Sequence, residues 1–193
     1  MWAAAVPELR AQVHGIEHAD SWATDAHKWL NVPYDSGLAI VSDAAPHRAA
    51  MSLKASYLQR GADEERSGMD WVPESSRRSR VLPLYALFRA LGRTGIQGLV
   101  RGNCAMARRM AERLGADPRV DVLNEVVLNQ VLVRFGGDGA RTRDVIARVQ
   151  AEGTCWAGGA VWQGQQVMRI SISNWSTTAA DIDRSAEAIL KCC

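Results

Sequence analysis

Apolar residues change their spacing along this chain in a way that separates helices from strands. From Thr94 onward, Ile96, Leu99, Val100, Met106, Met110 and Leu114 fall along one side at helical spacing, which predicts a long helix closed by Gly115. Just before it, Leu82, Tyr85, Ala86 and Arg89 recur at the same spacing and predict a helix over Ser79 to Leu91, with Pro83 in its first turn. The bend between these helices is read as a domain boundary. Beyond Gly115 the pattern alternates in type. Strands are predicted near Val120 to Leu123 and Gln130 to Phe135, then a helix from Thr142 to Glu152 ended by Gly153, then strands from Thr154 to Val161 and Val167 to Ser173. A last helix follows Thr178, which has capping-box spacing with Asp181, and Ile182, Ala186, Ile189 and Leu190 form its buried side. These last hundred residues read as a compact α+β unit.

The first part of the chain is less regular. A helix is predicted over Pro7 to Val13 and a strand over Ser21 to Ala26; the turn-rich stretch from Asn31 to Gly37 then leads into a second strand, Leu38 to Ser42. Lys28 is thereby placed at the mouth between two strands. Asp43 is positioned to cap a short helix over Ala44 to Ala50. The segment from Ser56 to Glu74 is polar, rich in charge and glycine, and without periodicity, and reads as a long loop of the kind that serves as an active-site flap. Neither an internal repeat nor a low-complexity segment interrupts the pattern.

With 193 residues, 47% of them apolar, the chain can bury one or two modest cores. Its 23 basic and 21 acidic side chains leave a formal charge of +2, which gives no reason to propose nucleic acid or another polyanion as partner. The one basic cluster, Arg77, Arg78 and Arg80, is as well explained by a solvated turn before a helix as by binding. No stretch approaches the roughly 18 apolar residues of a membrane helix, and the start lacks the basic region of a secretory signal, so the chain reads as soluble and cytoplasmic. Cys104, Cys155, Cys192 and Cys193 lack CxxC spacing and read as free thiols.

Among residues with chemistry to offer, Lys28 stands out. At a strand end, beside His27 and bracketed by Trp22 and Trp29, its amine is expected to lose hydration and titrate lower than a surface lysine, which favours attack on an aldehyde. A snorkelling surface lysine fits the same spacing. His14 and His18 are four apart, but Gly15 breaks the helix and no third ligand is evident, so no metal site is expected. The run Gly136-Gly137-Asp138-Gly139 reads as a turn rather than a phosphate loop. Trp156, Trp162 and Trp175 are read as packing residues of the C-terminal unit.

Ser21-Trp22, followed after five residues by Lys28-Trp29-Leu30 and then by Tyr34, resembles the cofactor-attachment signature of the pyridoxal-phosphate-dependent decarboxylase family (group II) that includes glutamate, aromatic-amino-acid and histidine decarboxylases. Ser36 departs from the cysteine or alanine usual there, a small-for-small change. Ser76-Arg77-Arg78 and the run from Met168 to Trp175 are similar to later segments of the same family. The resemblance implies an α/β fold of the aspartate-aminotransferase type (fold type I), with residues 1–93 as the C-terminal part of the cofactor-binding large domain and residues 94–193 as the small α+β domain. It implies that Lys28 forms the internal aldimine with pyridoxal 5'-phosphate and that His27 lies close to the cofactor phosphate and substrate. Asp25 would occupy a position near the phosphate where relatives often have asparagine, and its carboxylate would repel that group. Ser76 would reach across the interface of a homodimer and help select the side chain of an L-amino acid. The reaction implied is loss of carbon dioxide from the α-carbon, with the protein orienting the bond that breaks.

Family members are usually more than twice this long, and Met1-Trp-Ala-Ala-Ala resembles the stretch that follows their pyridine-binding aspartate. The resemblance thus implies a C-terminal fragment whose phosphate-cradling loop, ring-stacking residue and flanking strands of a seven-stranded sheet lie upstream. Such a chain alone is expected to expose strand edges, to bind cofactor poorly and to aggregate or dimerise. Two other readings remain open at this stage. One is a different enzyme of the same fold, an aminotransferase or another lyase; the other is a non-catalytic remnant that pairs with other chains.

Overall fold

A computed structural model describes residues 1–53, 67–74, 76–137 and 139–193 of the chain. Of the loop expected over Ser56 to Glu74, residues 56–66 therefore lie outside the described residues, and residues 67–74 include a 3-10 turn at Gly68–Asp70. The described helices are α1 (Trp2–Ala5), α2 (Ala26–Trp29), α3 (Ala44–Met51), α4 (Val81–Gly115), α5 (Gly139–Glu152) and α6 (Ala179–Lys191). The strands are β1 (Ser21–Asp25), β2 (Gly37–Val41), β3 (Val120–Val122), β4 (Gln130–Phe135), β5 (Gly158–Trp162) and β6 (Gln165–Ser171).

The C-terminal unit is a four-stranded antiparallel sheet in the order β3-β4-β6-β5, packed against α5, α6 and the second half of α4. Register explains its core. Val131 pairs with Ile170 and Val133 with Met168, so these four side chains share one face with Phe135. Onto that face α4 lays Ala107, Met110 and Leu114, α5 lays Val145, Ile146 and Val149, and α6 lays Ile182, Ala186 and Ile189. Each large side chain buried here stabilises the fold by about 1.5–3 kcal/mol. The predicted capping box is present at the start of α6, where Thr178 Oγ1 accepts from the Asp181 N–H at 3.2 Å and the Thr178 N–H donates to Asp181 Oδ2 at 2.9 Å.

The first part of the chain is built on α4. β1 and β2 pair antiparallel in the register Ser21↔Val41 to Asp25↔Gly37, and among the described residues they form a sheet of two strands only. Two strands are marginal by themselves. Their support comes from Ala26, Leu30 and Val32, which pack on Leu84 and Ile96 of α4, and from Val6 and Trp29, which pack on Val100 and Cys104. Gln97 Nε2 donates to Ala5 O at 2.9 Å, and Arg101 holds Glu8 through two bonds of 2.5 and 2.8 Å. The carboxyl of Glu8 is thereby lowered to about 2, first by its hydrogen bond from Arg101.

Several expectations change. The two helices predicted on either side of residues 92–93 are present and meet at a break at Gly92, whose backbone (φ 58°, ψ −169°) is not helical, and they are numbered together as α4. On its first half Leu84 is buried while Leu82 and Tyr85 are exposed, because the neighbours Ala26 and Leu30 meet the helix from Leu84's side. The element predicted over Pro7 to Val13 is a 3-10 helix. β5 begins at Gly158, four residues later than expected, since Thr154 turns back to bond the Glu152 carboxylate. Trp156, Trp162 and Trp175 are not packing residues: they are 76%, 43% and 75% exposed, the core being filled without them by aliphatic side chains from three helices.

Candidate functional site

The connection between β1 and β2, residues 26–36, carries the candidate chemistry. Ser36 shapes it. Its carbonyl accepts from the Ala26 N–H at 2.8 Å and its N–H donates to His27 Nδ1 at 3.1 Å, so the chain leaving β1 turns at once into α2 and returns to β2. Ser36 is 3% exposed, which accounts for a small side chain there. The His27 ring lies against Tyr34 with centroids 4.1 Å apart.

Trp29 points the other way. It is buried, and its indole N–H donates to Asn103 Oδ1 at 2.8 Å. With Trp29 anchored inward, helical geometry sends its neighbour Lys28 outward, where the side chain is 66% exposed. The Lys28 amine does not become the poorly hydrated, low-titrating group expected from its aromatic neighbours. Asp25 Oδ2 lies 2.5 Å from its Nζ, and this hydrogen bond, then the charge of Asp25, raise the lysine above its ordinary range. Asp25 in turn is held low by the same partner. Partial burial still pulls the amine down, but with Trp29 turned into the interior it is outweighed by Asp25.

Arg169 on β6 completes the surroundings. It is exposed, its positive charge opposes that of Lys28, and among the described residues it has no carboxylate partner. The site thus joins a primary amine and its counter-ion Asp25 from the first part of the chain with a cation from the second. Ser76 is apart from them. It lies exposed on the bend before α4 and hydrogen-bonds to none of Asp25, His27 or Lys28. Its segment is tied to the site indirectly: Arg80, at the start of α4, grips both carboxylate oxygens of Asp35 in the turn after Lys28.

A cleft of about 1200 Å³ runs along β1 and β2, walled by Pro46, His47 and Met51 of α3 and by Trp71. It reaches Asp25 but not Lys28, and it exceeds what one amino acid needs. It follows the two-stranded sheet, and the geometry around Lys28 is the better guide to chemistry.

The side chains present fit an aldehyde-bearing anion. The accessible amine of Lys28 can condense with the aldehyde, the His27 and Tyr34 rings, tilted 34° to each other, belong to the same turn, and Arg169 can meet an anionic group. Asp25 would repel a phosphate placed against it, so the anion must lie on the side of His27 and Arg169. Asn31, Asn103 and Arg169 were not singled out from the sequence. Asn103 left a trace there, since it interrupts the apolar side of α4 between Val100 and Ala107; Arg169 left only its place opposite Met168 and Ile170 in strand alternation.

Residues 3–135 match the pyridoxal-dependent decarboxylase conserved domain. Histidine decarboxylase of Drosophila melanogaster is 31% identical over 181 residues, covering 91% of this chain and 21% of that protein. The 3,4-dihydroxyphenylacetaldehyde synthase of Aedes aegypti is 28% identical over 181 residues, covering 92% of this chain and 34% of that one. Oryza sativa TDC, solved with PLP and tryptamine, superposes with a TM-score of 0.89 at 24% identity, over 99% of this chain and 42% of its own. The chain therefore spans between about a fifth and two fifths of the length of these relatives.

Proposed function

The chain belongs to the pyridoxal-dependent decarboxylase family and has part of its fold-type-I α/β architecture, and from that premise we propose that it contributes the cofactor-holding lysine of a carboxy-lyase acting on an L-amino acid. Lys28 holds pyridoxal 5'-phosphate through its ε-amine. His27, braced by Ser36 and Tyr34, borders the bound group; Asp25 keeps the free amine protonated and balances its charge when no cofactor is bound. Arg169 meets the anionic end of the cofactor or the substrate carboxylate. When bound, pyridoxal phosphate accepts the electron pair left as a bond to the substrate α-carbon breaks. The residues of this chain decide which bond that is by fixing the substrate's orientation. Ser76 serves substrate selection from across a homodimer interface, with residues 1–93 and 94–193 acting as the large-domain and small-domain portions. The protein works in the cytoplasm; no helix among the described residues is long and apolar enough to cross a membrane.

The observation that carries this reading is the outward presentation of Lys28 by an inward-anchored Trp29 at the end of β1. A second reaction class is kept in view because a relative named as an aldehyde synthase is nearly as similar as the histidine decarboxylase. Since the chain alone is expected to be inactive, the test for both is incubation of a version completed with the upstream portion that family members have, together with pyridoxal phosphate and carboxyl-labelled L-amino acids. Carbon dioxide with an amine product is expected, and Lys28→Ala should abolish it. Carbon dioxide with an aldehyde product would favour the second class, and a keto acid without carbon dioxide would refute both.

A further inference from the structure

Two asparagines join the halves of the molecule at the lysine. Asn103, 4% exposed in the middle of α4, accepts from the Trp29 indole with Oδ1 and donates from Nδ2 to Asn174 O at 3.0 Å. Asn31, three residues after Lys28, donates from Nδ2 to Trp29 O and to Ser173 O, both at 2.8 Å, while its Oδ1 accepts from the Trp175 N–H at 3.3 Å. Each amide thus bonds α2 or its exit on one side and residues 173–175 on the other. Those residues continue directly from β6, which carries Arg169. For the buried Asn103, an amide left without a partner would carry a desolvation cost of about 1–3 kcal/mol, whereas Asn31 is exposed and its three bonds join the same two segments at the surface.

We propose that Asn31 and Asn103 form a clasp that sets the position of Lys28 against β6 and Arg169, making both of them positioning residues for the lysine. The proposal rests on the reading of Lys28 as the cofactor-holding residue. Its physical content is the joining of elements far apart in sequence: α2 and its exit are bonded, directly and through Asn103 of α4, to residues 173–175, which follow β6. Asp25 bonds the Lys28 amine directly, while Tyr34 from the following turn and Arg169 from β6 act on it through their charge, and His27 on its own segment lies against Tyr34. Of these, Arg169 is the one carried by the second part of the chain, on the strand that leads into the clasped residues 173–175. Releasing it removes a neighbouring positive charge, which favours the protonated amine and moves aldehyde capture to higher pH.

The chain has three lysines, Lys28, Lys54 and Lys191, which makes the test readable by peptide mapping. The full chain is incubated with pyridoxal phosphate across a pH series and reduced with borohydride, and the phosphopyridoxyl group at each lysine is quantified. Lys191, paired with Glu187 on α6, is the internal control. Asn103→Ala and Asn31→Gly should each lower capture at Lys28 by roughly tenfold at neutral pH, the scale of a small misplacement. Both should move its pH midpoint upward, with Lys191 unchanged. Glycine is chosen at residue 31 because the backbone there has φ 56°, so this variant removes the amide without straining the fold, and Asn103→Ala is not relied on alone. Trp29→Phe removes the indole N–H together with part of a buried ring, so its unfolding midpoint is measured alongside; its capture profile should match that of Asn103→Ala and add little to it in the double variant. If wild type captures preferentially at Lys28 and Asn31→Gly keeps the same yield and midpoint, the clasp is refuted while the lysine assignment stands. If wild type captures no faster at Lys28 than at Lys191, the lysine assignment fails and the clasp with it.

Discussion

Lys28 shows how one neighbour outweighs several. Its aromatic surroundings suggested a depressed amine, yet a carboxylate at 2.5 Å from an exposed side chain stabilises the ammonium more than partial burial destabilises it. Asp25→Asn removes that stabilisation. The amine of the variant should titrate lower than in wild type, and capture of pyridoxal phosphate at residue 28 should begin at lower pH. An unchanged profile from pH 6 to 10 would mean that the ion pair does not form in solution. Thr178 offers a simpler case. Alanine there deletes the hydroxyl that caps α6 and should cost about 1 kcal/mol, read from urea unfolding. Both motifs were visible as spacings in the sequence. Whether Lys28 had a counter-ion was not, because three residues on from a strand end can face either way until the inward bond from Trp29 to Asn103 is known.

At the scale of elements, α4 is the member everything else is hung on, and its break at Gly92 lets its two halves serve different neighbours. The backbone at Gly92 (φ 58°, ψ −169°) lies where only glycine is at ease. A side chain there would meet no atom within 4 Å, so the cost of Gly92→Ala is conformational, about 1–3 kcal/mol, measurable as a lower unfolding midpoint. The 3-10 segment Pro7–Val13 is fastened to α4 by Glu8 and Arg101. The folded-state carboxyl of Glu8 is depressed from 4.5 to about 2. The stability it adds is therefore complete above pH 4.5 and is lost as pH falls toward 2. Glu8→Gln should melt below wild type at pH 7, and the gap should close over that acid window; a gap independent of pH would assign the loss to something other than charge. Periodicity indicated the extent of α4 well because a helix that buries one side for several turns repeats its signal. Shorter elements such as α1 (Trp2–Ala5) carry too few positions for a period to register.

For the whole molecule, the asymmetry between the two halves matters most. The C-terminal unit closes a core of its own around Phe135, which is 1% exposed, and Phe135→Ala should cost about 3–5 kcal/mol in urea unfolding. The first part buries its apolar side chains on α4 and presents a sheet of two strands among the described residues, with a long cleft beside it. Lys28 sits where the parts meet.

The order of strands and helices in the C-terminal unit, the cap of α6, and the lysine with its flanking histidine and tryptophan were all determined by residues near one another in the chain, because local periodicity and short motifs encode what local backbone geometry requires. Only the tertiary structure decided that Trp156, Trp162 and Trp175 face outward and that Asp25 pairs with Lys28. The same holds for Asn103 and Asn31, which bind a segment some 70 and 140 residues away, and for Arg169, whose charge reaches the lysine from the second part of the chain. Those are contacts between distant or freely rotating groups, and their partners are chosen by how the elements pack.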